Sequence, residues 1–151
     1  MQRDRIGVAR TWLRNAAEDL TIACKLAADH PARATFHAQQ AAEMALKGVL
    51  IAHSDDHPLT HSVGTLLRNL RDEGFDVPAE LAADAAALDL YYLGSRYPDA
   101  VGDADPAEVV PRADAERACG RAERVISFST SSIEAALAEH QREAKDAPTE
   151  P

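Results

Sequence analysis

A chain of 151 residues is long enough to bury a single core and reads as one domain. Its composition, 46% hydrophobic but only 5% aromatic and rich in alanine, favours helices and excludes a fold built on β-branched strands. A net charge of −9 argues against non-specific DNA binding, which needs lysine and arginine to neutralise phosphates. No run approaches the ~18 apolar residues of a membrane span. The start, Met1 to Arg5, leads into an amphipathic segment without the apolar core of a signal peptide, so a cytoplasmic location is expected.

In chain order, the first helix is expected over about residues 4 to 28, where Ile6, Ala9, Leu13, Ala16, Leu20, Ala23, Cys24 and Ala27 recur at helical spacing. Trp12 lies at the side of that stripe. Asp29-His30-Pro31 ends it, and Pro31 suits the first turn of a second helix running to about His53. Ser54 to Leu59 reads as a turn. Thr60 is expected to cap a short third helix over about residues 61 to 73, with Val63, Leu66, Leu67 and Leu70 inward and Gly74 as its stop. Pro78 opens a fourth helix carrying Leu81, Ala85, Leu88 and Tyr92 on one side. Residues 98–111, with three prolines, Gly102 and several aspartates, read as a surface loop. The last helix is expected from near Pro111 to about His140, with a break in its apolar pattern at Ser129-Thr130-Ser131-Ser132 where it could bend. The expected architecture is an all-α antiparallel bundle of four to five helices over residues 1–143, followed by a disordered polar tail over 144–151. Cys24 and Cys119 read as small core residues rather than a disulfide or metal pair.

The second helix holds an unusual polar strip. At about 100° per residue, Phe36, Gln40, Glu43 and Lys47 fall within roughly 60° of one another, beside the apolar arc of Ala38, Ala42, Ala45, Leu46 and Val49 rather than opposite it. With Gln39, these residues form either a solvated face with an i,i+4 Glu43–Lys47 pair or one wall of a binding groove. In the second reading Lys47 and Gln40 meet a phosphate or a partner's acid while Glu43 holds Lys47. Arg96, at a helix-to-loop break, is either a salt-bridging cation or a planar clamp for phosphate or carboxylate. Tyr91, Tyr92 and Tyr97 lie near it in sequence; Tyr92 falls on the inward stripe and the others are available to stack on a base. His53, His57 and His61 are four apart, but Pro58 breaks the helical register, so no metal site is expected. His61 reads as a first-turn residue bonding to backbone or to helix two.

The run Ala38-Gln39-Gln40-Ala41-Ala42-Glu43-Met44-Ala45-Leu46-Lys47 resembles the signature of HEPN domains. Thr60-His61 and Arg96-Tyr97-Pro98-Asp99 follow in the same order and spacing. The resemblance implies a helical bundle that commonly dimerises and is often paired with a minimal nucleotidyltransferase in toxin-antitoxin-like modules. Catalytic members carry an arginine followed after four to six residues by a histidine. Here those positions after Arg96 hold Val101, Gly102 and Asp103, so the imidazole that could move a proton is missing. The chain is therefore similar to the non-nucleolytic Arg-Tyr-Pro-Asp type. The implied function is a binding subunit, with no catalytic residue, no cofactor and no metal. Gln40, Glu43, Lys47, His61, Arg96 and Tyr97 would contact a nucleotide or RNA, or the nucleotidyltransferase partner. The alternatives are a metal-independent endoribonuclease toxin using Arg96 with a second group such as Tyr97, and a purely structural assembly subunit.

Overall fold

The computed structural model describes residues 4–95 and 97–148. Among the described residues, seven α-helices and one 3-10 turn follow one another: α1 (Arg5–Leu26), α2 (Pro31–Ser54), α3 (Val63–Asp72), α4 (Ala79–Asp89), α5 (Tyr91–Gly94), the turn Pro98–Val101, α6 (Pro106–Val109) and α7 (Arg112–Asp146). The same residues include no strand, and no helix among them is long and apolar enough to cross a membrane.

The bundle is organised around α2. Its buried residues, from Ala32 to Ala52, lie on every side of the helix, which is the pattern of a central element. Helices α1 and α7 pack along it, and α3 and α4 cover part of the remainder. Much of the contact is alanine. Ala9, Ala16 and Ala23 of α1 are fully buried, as are Ala38, Ala41, Ala42 and Ala45 of α2 and Ala115, Ala118 and Ala122 of α7. Small side chains let the helix axes approach closely, and Gly48 lies at one such close contact. A Cβ there would lie 3.1 Å from the Ala9 carbonyl and 3.4 Å from Cδ1 of Ile133, so α1 and α7 both press on this glycine. Trp12, Leu13 and Leu20 pack from the side against this core.

The helix ends follow from local chemistry. Asp4 caps α1 by accepting from the Gly7 amide at 2.9 Å. Asp55 adopts the left-handed conformation after α2, with φ of 52° and its N–H returned to the Ile51 carbonyl. Gly74, at φ of 91°, lets the Phe75 amide reach back to the Leu70 carbonyl and stop α3.

Five expectations need correction. Cys24, expected in the core, is exposed, because α1 buries only the stripe of Ile6, Ala9, Ala16 and Ala23 beside it, while Cys119 is buried as expected. The cap of α3 is Ser62, whose hydroxyl accepts from the Thr65 amide, while the Thr60 hydroxyl accepts from the Ser62 amide just before the helix. The fourth helix breaks at Leu90, so Tyr92 sits on the separate turn α5. Residues 98–111 are more ordered than a surface loop, because Pro106 and Val110 are buried and Asp105 caps α6. Helix α7 is continuous to Asp146, about 52 Å at 1.5 Å per residue, and takes in residues 144–146 of the expected tail. It runs through Ser129-Thr130-Ser131-Ser132, where Ser129, Thr130 and Ser132 donate their hydroxyl protons to the carbonyls four residues back and so leave the backbone ladder in place.

Gly48→Val should overpack the contact between α1, α2 and α7. Urea unfolding should show a loss of about 1–3 kcal/mol.

Candidate functional site

The polar strip of α2 folds inward onto a single carboxylate. Glu43 Oε1 accepts from Lys47 Nζ at 2.8 Å and from His61 Nδ1 at 3.1 Å. Its Oε2 accepts from Gln40 Nε2 at 3.3 Å and from Gln39 Nε2 at 3.5 Å. Gln39 is fully buried and donates more closely to the His61 carbonyl, at 2.7 Å, while its own Oε1 accepts from Gln40 at 2.7 Å. The Glu43 and Lys47 side chains are only 6% and 10% exposed. Two opposite charges removed from water together largely cancel, and the remaining lone pairs of the carboxylate are filled by amides and imidazole.

A carboxylate flanked by an ammonium offers acceptors only, so the proton of the His61–Glu43 bond sits on Nδ1. In the neutral ring this leaves Nε2, on the other side of the imidazole, as an acceptor. The His61 side chain is 56% exposed. Its ring stacks on Tyr92, with centroids 5.1 Å apart and planes 12° apart. The segment 61–64 is tied to the α4–α5 corner by Asp89. That carboxylate accepts from the amides of Val63 and Gly64 at 2.7 and 3.0 Å and from the Ser62 hydroxyl at 2.8 Å. A negative charge at the first turn of α3 also complements the helix dipole.

The same corner carries apolar side chains that the core does not cover. Leu59 is 92% exposed and lies two residues before His61; Leu90 is 77% exposed and follows Asp89. Leu93 and Tyr97 are also exposed. The Tyr97 amide donates to the Leu93 carbonyl at 3.0 Å, which holds the start of the Tyr-Pro-Asp segment against α5. The His61–Tyr92 stack and the Asp89 bonds thus bring Leu59, Leu90 and Leu93 to one end of the bundle.

The structure therefore joins Gln40, Glu43, Lys47 and His61 into one network and sets Tyr97 beyond α5. Arg96 lies outside the described residues. Lys47, for which an i,i+4 pair with Glu43 and a contact to a phosphate or a partner's acid were both open, turns into the bundle and pairs with Glu43. Tyr92, expected in the core, is the ring that meets His61. Tyr91 points to α7: burial first, and then the charge and hydrogen bond of Asp114, raise its hydroxyl above the ordinary tyrosine value. Gln39 and Asp89 are the members that sequence reasoning undervalued. A glutamine inside an alanine arc and an aspartate between leucines are the signals for them. His53 bonds the Ser132 carbonyl and His57 bonds Asp55, so the three histidines spaced four apart take separate partners. Among the described residues no group of three or more histidine, cysteine or acidic side chains could hold a metal ion.

This geometry has relatives. The family model of the HEPN domain matches residues 9–133. The chain belongs to the HEPN domain family. The crystal structure of TT1696 from Thermus thermophilus is similar over 82% of this chain and 97% of that one, with 38% identity and a TM-score of 0.77. The crystal structure of ST0689, an archaeal HEPN homologue, is similar over 88% of this chain and 99% of that one, with 29% identity and a TM-score of 0.70. No curated protein matches the chain. The α2 run that resembles the HEPN signature lies within the matched residues and carries the buried carboxylate with most of its donors.

Glu43→Leu should leave the Lys47 ammonium buried without its counter-charge and cost about 3–5 kcal/mol in chemical denaturation. The double change Glu43→Leu with Lys47→Met should recover most of that loss, because both desolvated charges are then gone.

Proposed function

We propose that this HEPN domain is a non-nucleolytic binding subunit that works with a minimal nucleotidyltransferase in a toxin-antitoxin-like module. The observation that carries the reading is the end of the bundle where the His61–Tyr92 stack, anchored on buried Glu43, is flanked along the chain by exposed Leu59, Leu90, Leu93 and Tyr97. Exposed apolar side chains gathered at one end mark a protein-interaction surface better than a surface made only for a small ligand. The stacked rings and the Nε2 acceptor add a place for a base or a peptide amide. Lys47 stays inside as the anchor of Glu43, so phosphate recognition, where it occurs, falls to groups nearer the Arg-Tyr-Pro-Asp segment. A second copy of the chain and the nucleotidyltransferase both suit such a surface, and homodimers are the expected state of the subunit alone.

Light scattering with a minimal nucleotidyltransferase encoded beside this chain should reveal a complex that Leu90→Asp weakens at least tenfold and His61→Ala weakens less. An unchanged complex with Leu90→Asp would remove this surface from the reading. Calorimetry with ATP, GTP and a short RNA addresses the nucleotide half. Heat that disappears in His61→Ala supports it, and no heat from any of the three sinks it.

A further inference from the structure

The antiparallel seam between α1 and α7 has a readable register. Near one end, Arg10, Leu13 and Arg14 of α1 line a groove with Thr130, Ile133 and Glu134 of α7. Near the other, Ala27 gathers with Ala115 around Ala34. Each step along α1 is thus matched by a reverse step along α7, and position 24 falls level with position 119. Both residues are cysteines. Cys119 is buried and Cys24 lies at the exposed edge of the seam, and the Cys24 thiol is near enough to help raise that of Cys119. The flanking residues Ala23, Ala118 and Ala122 are fully buried, and helices meeting through alanine approach closely, as the short Cα–Cα span of a disulfide demands.

We propose that Cys24 and Cys119 form a peroxide-sensitive dithiol that closes into a disulfide bonding α1 to α7. Cys24 is the residue a soluble oxidant reaches. Hydrogen peroxide, the two-electron oxidant, converts its thiol to the sulfenic acid and leaves as one water. The Cys119 sulfur then attacks Sγ of Cys24; the S–S bond forms, the S–O bond breaks, and the departing hydroxide takes the Cys119 proton as a second water. Two thiols and one peroxide thereby give one disulfide and two waters.

The environments of the two sulfurs divide these roles. Burial first, and then the neighbouring Cys24 thiol and Glu116, push the Cys119 thiol up to about 12. Cys119 therefore stays protonated and inert toward solvent until a sulfenic acid forms beside it. Its fixed position replaces the thiolate character it lacks, because a reaction within one structure proceeds at a very high effective concentration. The product would close a loop of ~95 residues and restrict the unfolded chain accordingly.

The test is peroxide treatment of the full chain followed by intact mass measurement and a non-reducing digest. The expected result is loss of two hydrogens and a peptide pair linked through Cys24 and Cys119, released by dithiothreitol. The melting temperature of the oxidised chain should rise by several degrees and fall back on reduction. In Cys119→Ala, checked for its helical spectrum, Cys24 should instead trap a sulfenic-acid reagent. Over-oxidation of Cys24 in the native chain with Cys119 still a free thiol would overturn the proposal. So would disulfides that form only between chains.

Discussion

One carboxylate organises the functional end of this molecule. Glu43 is buried, and a buried carboxylate is tolerable only when its charge is balanced and its lone pairs are filled. Lys47 supplies the charge from one turn further along α2. Gln39 and Gln40 supply amide protons from the turn before, and His61 supplies its Nδ1 proton from outside the helix. That last donor matters most for the fold. It draws the segment before α3 onto α2, and the Gln39 bond to the His61 carbonyl fixes its backbone as well. The Tyr92 ring can then stack on an imidazole whose Nδ1 edge is held by Glu43.

A second carboxylate completes the constraint. Asp89 closes the end of α4 onto the first turn of α3, so the corner that carries Leu90, Tyr92 and Leu93 sits where the His61 segment needs it. Away from this end, charges brace the frame rather than shape a site. Asp84, buried on α4, holds the Arg124 guanidinium in two bonds of 2.7 and 2.8 Å. Planar two-point pairing of this kind sets the angle between α4 and α7 more firmly than a lysine would.

Much of this was legible in the chain itself. Alanine-rich helical spacing announced an all-α bundle, Pro31 and Gly74 marked helix boundaries, and the run from Ala38 to Lys47 carried the family resemblance. The same run left two places open for Lys47. Its position beside the apolar arc is compatible with a groove edge or with burial, and helical periodicity alone does not say which neighbours close over that side. The break at Leu90 was hidden for a similar reason. Nothing in Asp89-Leu90-Tyr91-Tyr92 forbids helix; the Asp89 carboxylate is held by α3 amides more than 20 residues away in sequence. The cap at Thr60 was misplaced because the pull on His61 comes from α2, not from its sequence neighbours.

Local sequence alone thus determined the elements, their approximate ends and the family, because helix propensity, proline, glycine and the α2 signature act over a few residues. Only the tertiary structure decided that α2 is buried on all sides, that Lys47 faces inward to Glu43, and that His61 meets Tyr92 at the end bearing the exposed leucines. Those outcomes depend on which distant groups satisfy a buried charge, and such pairings exist only once the helices have packed.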